Sequence, residues 1–433
     1  MEAKKLLPAL TLAVLVSSAC LNGQRTLTLM ECYEMSVAAS PVAAEKTLLP
    51  EITTTKDRNL TKNWLPTIDA GGLFVYNSSV ADISASLAAL PAISDLIAPL
   101  PHEQYRLTLD INQVIFDGGA TKGARALEKA DLEVNMMAVE TDLYKLRSQV
   151  NSYFFSILML DRQAELLRNH QALITERLTS MNSAYGNGVI LRSDIDVVQS
   201  EIIKLSQQLN ETAIRRASLL RSLSSLTGSE IDETTTLLLP SPEEEMPADI
   251  NRPELNLFDL KKEQLDAGFS VLQSKRLPKA GLFATLGYGN PPGNNFFRDE
   301  FAPYYVVGAS IKWNIYDWNR TKEEQQIINL RKEMIDGRKR DMTENLIRLL
   351  EAKKAEISAI RSMLESDTEL IDLRKRITAA AESQFNNGTI TATQYMNELT
   401  AERQAMISYE IHRISLVMAQ TDYLNIAGKD LKQ

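Results

Sequence analysis

Two sets of carboxylates lie close together in the chain and are the first candidates for chemistry. Asp194 and Asp196 form one set, and Glu243, Glu244 and Glu245 form the other. A catalytic carboxylate pair needs a desolvated cleft that moves its two pKa values apart. The residues around these two sets do not predict such a cleft. The three glutamates stand among prolines, which is typical of a solvated linker. The sequence therefore predicts no enzyme.

Metal and cofactor sites have few candidate ligands. The three histidines, His102, His170 and His412, are scattered, and Cys20 and Cys32 are the only cysteines. No glycine-rich phosphate loop occurs, and most of the 14 methionines fall at helix positions, where packing is their usual role. We expect no cofactor and no metal. The formal net charge of −9 also makes nucleic acid a poor partner, because phosphates bind basic surfaces.

The N-terminus reads as a secretory signal peptide over 1–19. Two lysines precede an apolar stretch, and Ser17 and Ala19 are small residues at the cleavage positions. Cys20 follows at once, which makes it a candidate for lipid attachment. Ser17 occupies the position where lipoproteins usually have leucine. The alternative is therefore that the signal peptide is cleaved without lipid attachment and that the Cys20 thiol has no special role. Either outcome places the mature chain outside the cytoplasm.

The remaining chain repeats itself at an offset of 200 residues. Three segments recur without a gap, 117–122 at 317–322, 185–188 at 385–388 and 226–228 at 426–428. Their common offset indicates a duplicated unit. The 433 residues, 44 % hydrophobic and 24 % charged, fit a folded protein of several units. Apart from the N-terminus, no apolar run is long enough for a membrane helix.

Each unit is predicted to contain a long helical hairpin. Apolar residues follow a seven-residue repeat over 118–184, which is typical of a coiled coil. Glycines then end the helix, and a return helix is predicted over 191–227. A helix of about 67 residues has a length of roughly 100 Å. Pro50 in the leading helical segment predicts a kink or break near Leu49.

Four segments before the long helices alternate between apolar and polar residues. The predicted strands cover 67–77, 106–116, 280–290 and 305–316, with the length and period of membrane-barrel strands. Trp64, Trp313 and Trp318 fall at their helix-side ends, as in a lipid-facing girdle. The alternative is two hairpins of a soluble domain with the tryptophans in its core. Four strands cannot close a barrel. Eight strands from two chains would be filled by side chains, whereas twelve from three chains would leave an open lumen, which favours three chains.

These residues resemble the TolC-like outer membrane efflux proteins over nearly all of the mature chain. The motifs are the LTLMECYEMSVAASP opening, the NWLPTI entry, the QVIFDGG exit, and the YGNG and FNNG turns followed by SDIDVVQSE and TQYMNEL. The resemblance implies a homotrimer in the outer membrane lipid of a Gram-negative envelope, with a 12-stranded barrel continued as a periplasmic helical tunnel. It also implies a periplasmic adaptor and an inner-membrane pump of the RND or ABC type as partners, and export without catalysis.

The predicted organisation can be given as residue ranges. The ranges are 1–19 signal peptide, 20–65 helical segment, 66–117 first membrane hairpin with outer loop 78–104, 118–228 first helical hairpin, 229–252 linker or equatorial belt, 253–277 short helix, 278–317 second membrane hairpin with outer loop 291–303, 318–428 second helical hairpin and 429–433 tail.

The same resemblance suggests where the tunnel would dock and close. The predicted adaptor-docking tips are Tyr185, Asn187, Gly188, Val189, Phe385, Asn387, Gly388 and Thr389. A well-known member of the family narrows its pore with two aspartates after the second long helix, where this chain has Gln394 and Asn397. Asp194 and Asp196 occupy the first-repeat turn, so the entrance constriction is expected at one of these pairs. The competing functional class is a lipid-anchored periplasmic coiled-coil adaptor or structural protein.

Overall fold

The computed structural model describes residues 26–80, 100–242, 249–295 and 298–430. Cys20, the predicted signal peptide and most of the first outer loop lie outside the described residues. The helices, numbered in chain order, are α1 (Leu29–Ala39), α2 (Glu45–Thr61), α3 (Ala120–Tyr144), α4 (Leu146–Gly186), α5 (Arg192–Thr227), α6 (Pro253–Ser274), α7 (Arg320–Asn386) and α8 (Ala392–Ala427). The strands are β1 (Thr26–Leu27), β2 (Thr67–Tyr76), β3 (Glu103–Phe116), β4 (Thr236–Leu237), β5 (Lys279–Asn290) and β6 (Ala302–Lys312).

The long helices form two antiparallel hairpins that lie side by side. α4 packs along α5, α7 packs along α8, and α4 also packs against α8. α7 alone has 67 residues, so the helical body is about 100 Å long. None of the helices in the described ranges is both long and apolar enough to cross a membrane.

The heptad positions of the first hairpin form its core. Val150, Ile157, Leu167 and Ile174 on α4 are at most 1 % exposed, as the coiled-coil pattern predicts. One cluster packs around α1, and a second lies near the turns that join the paired helices. A third joins α7 to α8. Apolar burial along the whole length therefore holds the two hairpins together.

Helix ends follow the local sequence. Thr28 and Glu31 form a reciprocal capping box at the start of α1, which satisfies two backbone donors that would otherwise lack partners. Gly228 and Gly428, with φ of 63° and 76°, end α5 and α8. A left-handed residue at that position is the usual end of a helix, and glycine adopts it without steric cost.

Three predicted boundaries differ from the structure. The predicted helix over 118–184 is divided at Lys145, where Ser148 N–H donates to the Lys145 carbonyl at 3.3 Å and tightens the turn. The leading segment is interrupted at Pro41–Ala44, a 3-10 turn, whereas α2 continues through Pro50. The helix therefore has no break near Leu49. The interruption occurs at Pro41 instead, where a proline can begin a new turn without losing a helical hydrogen bond.

The four long strands form one antiparallel sheet in the order β2-β3-β5-β6. The β3–β5 ladder joins the first hairpin to the second, so β2 and β6 are the edge strands. β6 ends at Lys312, whereas the alternating pattern predicted a strand to 316. Trp313 lies just beyond the ladder, and its Nε1–H donates to the Arg276 carbonyl at 3.0 Å.

The duplication is visible in the geometry. Thr67 pairs with Asn112 in the first strand hairpin, and Lys279 pairs with Lys312 in the second. The offsets are 279 − 67 = 212 and 312 − 112 = 200, and both ladders keep them throughout. The hydrogen bond of Trp313 recurs as well, because Gln113 Nε2–H donates to the Trp64 carbonyl at 2.6 Å. The strands of the two hairpins are therefore paired in equivalent registers, and the hairpins differ only in the length of their connecting loops.

Candidate functional site: the sheet faces and the helical turns

One face of the sheet is apolar over most of its area, with Glu103, Gln113 and Asn290 as polar residues at its two ends. Directly paired residues point to the same side and alternate residues to opposite sides, so the ladders define each face. The apolar face carries Ile68, Ala70, Phe74, Tyr76, Tyr105, Leu107, Leu109, Ile111, Leu282, Ala284, Leu286, Tyr288, Tyr305, Val307, Ala309 and Ile311. Most of its large side chains are exposed in the single chain, Ile311 by 78 % and Val307 by 72 %. An apolar surface of this extent needs lipid or protein to cover it.

Tyrosines line the end of the apolar face that lies next to the loops. Tyr76, Tyr105, Tyr288 and Tyr305 each lie at or near the loop end of a different strand, and all four are exposed. The Phe301 ring lies 5.7 Å from Tyr105 and 6.0 Å from Tyr288. Aromatic belts of this kind mark membrane–water interfaces. The sequence-based expectation of an aromatic girdle covered only the tryptophans, although a tyrosine near the end of each strand is an aromatic signal of the same kind.

The three tryptophans lie at the opposite, helix-side end. Trp64 lies in a 3-10 turn before β2, Trp313 directly follows β6, and Trp318 precedes α7. Trp318 is 81 % exposed and packs edge-on against Tyr316 at 5.0 Å. Trp313, expected on the lipid face of a strand, lies just beyond the strand instead. All three are exposed at the junction between sheet and helices, and none lies in a core.

The second face of the sheet has a polar, charged surface near the helices. Thr67, Asp69, Asp110, Asn112, Ser310 and Lys312 lie on it. Thr108 and Thr285 donate to Asp110 at 2.9 and 2.5 Å. Leu73, Val75 and Val306 also lie on this face, and the Phe283 and Tyr304 rings cover Gly308 and Gly287.

Charges of one sign are paired directly across this second face. Asp69 lies opposite Asp110 in the β2–β3 ladder, and Lys279 lies opposite Lys312 in the β5–β6 ladder. Like charges in such positions are destabilising. Within the described ranges none of these four side chains forms an ion pair, although Asp110 accepts the two threonine hydrogen bonds. The lysine pair has no opposite charge beside it in the single chain.

The predicted docking tips form two equivalent turns at the far end of the hairpins. Gly188 and Gly388 have φ of 70° and 69°. Val189 N–H donates to the Ala184 carbonyl at 3.0 Å, and Thr389 N–H donates to the Gln384 carbonyl at 2.9 Å. These bonds close each helix, as a left-handed glycine allows. Val189 is 73 % exposed, so the turns present apolar and backbone groups to the solvent.

The predicted constriction residues lie at the start of each return helix, and two of them cap it. Asp194 Oδ2 accepts from the Leu191 N–H at 3.1 Å, and Gln394 Oε1 accepts from the Thr391 N–H at 2.9 Å. Asp196 forms an ion pair with Arg192 at 3.2 Å. Asn397 is exposed. Capping accounts locally for the positions of Asp194 and Gln394.

A polar cluster is buried where the first hairpin meets the second. His170 and Arg403 are both 8 % exposed, and neither His170 Nε2 nor Arg403 Nε has a hydrogen-bond partner. A cavity of about 400 Å³ between α4, α7 and α8 lies beside them. Burial, with the Arg403 charge as a smaller cause, lowers the pKa of His170 to about 4. The imidazole is therefore neutral at ordinary pH.

A second buried network ties α1 to the helical hairpins. The Tyr33 hydroxyl donates to Asn151 Oδ1, and Asn151 Nδ2 donates to Asp422 at 2.9 Å. Burial raises the pKa of Tyr33 to about 12. Fully satisfied networks of this kind hold packing elements in one arrangement.

No group of three or more metal-ligating side chains occurs in the described part of the chain.

Comparison with solved structures identifies the fold. A structure of CusC, described for folding and transmembrane channel formation, aligns with a TM-score of 0.68 at 10 % identity, over 93 % of this chain and 92 % of that chain. The CmeC outer membrane channel of Campylobacter jejuni aligns with a TM-score of 0.63 at 14 % identity, over 94 % and 86 %. This chain has the fold of outer membrane efflux channels.

A third structure extends the comparison. The outer membrane protein VceC of Vibrio cholerae aligns with a TM-score of 0.63 at 12 % identity, over 92 % of this chain and 96 % of that chain. No protein-family model and no curated protein matches the sequence. The resemblance to TolC-like proteins that the motifs indicated is confirmed at the level of fold.

Proposed function

We propose that this protein is an outer membrane channel that serves as a passive conduit for export. Three copies pair their edge strands into one 12-stranded barrel, and their helical hairpins continue it as a tunnel through the periplasm of a Gram-negative envelope. The observation that carries the proposal is the amphipathic four-stranded sheet with two open edges. An open edge cannot face lipid, because its backbone groups would lack hydrogen bonds.

The two faces of the sheet favour a wet lumen over a filled one. The apolar face, with its aromatic ends, turns to lipid, and the face bearing Asp69, Asp110 and Lys312 lines the channel. Eight strands from two copies would make a barrel filled by side chains, whereas larger barrels leave an open channel. Twelve strands from three copies therefore suit a charged, hydrated inner face.

The proposed partner proteins bind at the end of the tunnel that is far from the barrel. The turns at Gly188 and Gly388 contact a periplasmic adaptor protein, which connects the channel to an inner-membrane pump that supplies the cargo. A resting constriction lies near the same turns, at Gln394 and Asn397 or at Asp194 and Asp196. The chain does no catalysis. The similar structures, which are channels, support this assignment.

The test is recovery of the protein from outer membranes. We expect a detergent-soluble trimer that migrates as an oligomer on an unheated gel and as a monomer after boiling. Its reconstitution in planar bilayers should give discrete conductance steps. A protein that remains monomeric and soluble without detergent would instead support the alternative, a lipid-anchored adaptor. Two helical hairpins and four membrane-length strands argue against that alternative, since a coiled-coil adaptor needs only one hairpin.

A further inference from the structure

The polar face of the sheet has a net positive charge, although the chain as a whole is acidic. The formal net charge of the chain is −9. The ladders place Arg106, Lys279 and Lys312 on the polar face, together with only two carboxylates, Asp69 and Asp110. The formal charge of the face is therefore 3 − 2 = +1. The acidic excess of the chain lies elsewhere.

Three lysines meet where the polar face joins the helices. Lys279 begins β5, Lys312 ends β6, and the two residues are directly paired. Lys62 lies in the 3-10 turn before β2, and its Nζ donates to the neutral Asn59 side chain at 3.2 Å. All three lysines line one cavity of about 670 Å³. We call Lys62, Lys279 and Lys312 the lysine belt.

The carboxylates closest to the lysine belt in the chain are occupied by helix starts. Asp117 lines the same cavity, and its two oxygens accept from the Gly119 N–H at 2.8 Å and the Thr121 N–H at 2.6 Å. Asp317 accepts from the Thr321 N–H at 3.1 Å at the start of α7. The partial positive charge of a helix N-terminus offsets a carboxylate in this position. These two aspartates therefore balance the helix starts and leave the lysine belt positive.

The two carboxylates of the polar face lie in a different layer of the chain. Asp110 accepts from Thr285 at 2.5 Å, and Asp69 lies opposite Asp110. Thr285 follows Lys279 by 285 − 279 = 6 residues on β5, which is about 20 Å of strand. The Debye length is about 10 Å at 0.1 M salt, so salt screens these charges from Lys279. Even with both carboxylates counted, Arg106 and the lysine belt leave 4 − 2 = +2 charges per copy.

The lysine belt does not serve as an anchor for the phosphates of lipid headgroups. Ile311 lies on the apolar face, and Lys312 is the next residue of the same strand. Because neighbouring residues of a strand point to opposite sides, Lys312 and its partner Lys279 point away from the apolar surface. Their charges therefore act on the side of the sheet that is proposed to hold water.

We infer that the barrel end of the channel prefers anions and that the lysine belt causes this preference. This inference rests on the proposed trimeric channel and adds a class of solute to it. Three copies of the belt place 3 × 3 = 9 ammonium groups where the barrel joins the tunnel, a level that every solute crosses. Rings of basic side chains concentrate anions in a pore and repel cations. The favoured solutes are inorganic anions and small organic acids with carboxylate or phosphate groups.

Reversal potentials of full-length trimers in planar bilayers under a KCl gradient test this preference. We expect the unmodified channel to conduct Cl⁻ in preference to K⁺. In water a unit charge at 10 Å changes the local concentration of a monovalent ion by about twofold. Lys279→Gln combined with Lys312→Gln should therefore lower the ratio of chloride to potassium permeability by at least about twofold. The preference should also weaken in concentrated salt, because the Debye length is about 30 Å at 0.01 M and about 3 Å at 1 M.

Three further variants locate the effect. Asp69→Asn removes a carboxylate from the polar face and should shift the permeability ratio toward chloride. Lys129→Gln combined with Lys204→Gln removes two lysines from exposed positions on α3 and α5 and should leave the ratio unchanged. An equal shift in this control would overturn the role of the lysine belt. Asp194→Asn combined with Asp196→Asn tests the competing site at the far turns, and a larger shift there would likewise overturn it.

The outcomes separate ion preference from the channel itself. Absence of conductance steps from a recovered trimer would overturn the channel proposal and the anion preference with it. Regular conductance steps with a preference for K⁺, or a chloride preference unaltered by Lys279→Gln with Lys312→Gln, would overturn the anion preference alone. If the double variant does not assemble on an unheated gel, Lys62→Gln, which lies in a turn outside the sheet, provides the same test. A lower chloride preference in Lys62→Gln supports the lysine belt, and an unchanged one overturns it.

Discussion

Burial of a single histidine gives the helical body an acid sensitivity. His170 lies on α4 between the two hairpins, and its pKa is about 4 in the folded chain instead of the ordinary 6.5. As pH falls below 6.5, the unfolded chain therefore takes up a proton before the folded chain does. The contribution of His170 to stability is complete above pH 6.5 and is lost as pH falls toward 4.

We expect the free energy of unfolding to decrease between pH 6.5 and 4 by on the order of 3 kcal/mol on account of His170. Thermal or denaturant unfolding followed by circular dichroism measures this change. His170→Gln, which cannot titrate, should have a flatter profile over the same range. An unchanged profile in His170→Gln would show that carboxylates elsewhere cause the whole acid dependence.

The residues proposed to close the channel also require a test at this scale. Replacing Gln394 and Asn397 together by alanine should raise the resting conductance of trimers in planar bilayers, since three copies of these amides would form the closed ring. Thr391→Ala is the matched control, because it removes a capping partner of Gln394 and costs about 1 kcal/mol without removing the amide. Equal conductance changes in the two variants would attribute the effect to the cap. A change only on replacing Asp194 and Asp196 would place the constriction in the first repeat.

At the level of elements, strand alternation identified which side chains share a face. The alternation over 106–116 predicts that Leu107, Leu109 and Ile111 share one face of a strand, and the ladders place them on one face of the sheet. Strand ends were less predictable. The bond from Trp313 to the Arg276 carbonyl depends on a residue far away in sequence, and no local pattern indicates it.

Helix boundaries were likewise only partly predictable from the sequence. Heptads predicted the buried positions of α4, because burial repeats every few residues along one helix. They did not predict the division at Lys145 or the interruption at Pro41–Ala44. The residues that close the channel are harder to predict from the sequence, because a ring around an axis requires other copies of the chain. Capping by Asp194 and Gln394 is local, since each side chain accepts from the backbone N–H three residues earlier.

The two faces of β3 should tolerate charge unequally. Ile111→Arg places a cation on the proposed lipid face and should cost about 2–4 kcal/mol near the membrane midplane. Asn112→Arg places the same cation on the channel face, where water solvates it. The yield of heat-modifiable trimer from outer membranes should therefore fall for Ile111→Arg and stay near normal for Asn112→Arg. Equal yields would contradict the assignment of the faces.

The helical turns should matter for docking and not for assembly. Gly388→Trp should leave trimers intact and abolish export, because a bulky ring blocks the adaptor contact. The positive φ of Gly388 adds strain, so Val189→Trp, at an ordinary and exposed position, is a cleaner companion variant. Lys204→Trp on α5 serves as the control away from the turns. Normal adaptor crosslinking and normal drug tolerance in Val189→Trp would argue against docking there.

At the scale of the whole molecule, the length of α7 determines the shape of the particle. A helix of 67 residues is about 100 Å long. A compact domain of this size would have a radius of gyration of roughly 22 Å and a much smaller maximum dimension. Small-angle scattering with the detergent matched out should therefore give a maximum dimension of at least about 100 Å. A compact particle would be incompatible with extended hairpins.

The two unpaired strands at the edges of the sheet also bear on how fast the protein matures. A lone chain cannot satisfy the backbone of β2 and β6 by itself, and exposed edges of this kind promote off-pathway association. In the proposed trimer, closing the ring requires the meeting of three chains, so its rate rises more steeply than linearly with their local concentration. At a low rate of synthesis, single chains with exposed strand edges persist for longer before they assemble. At a high rate they meet sooner, but aggregation then competes with assembly.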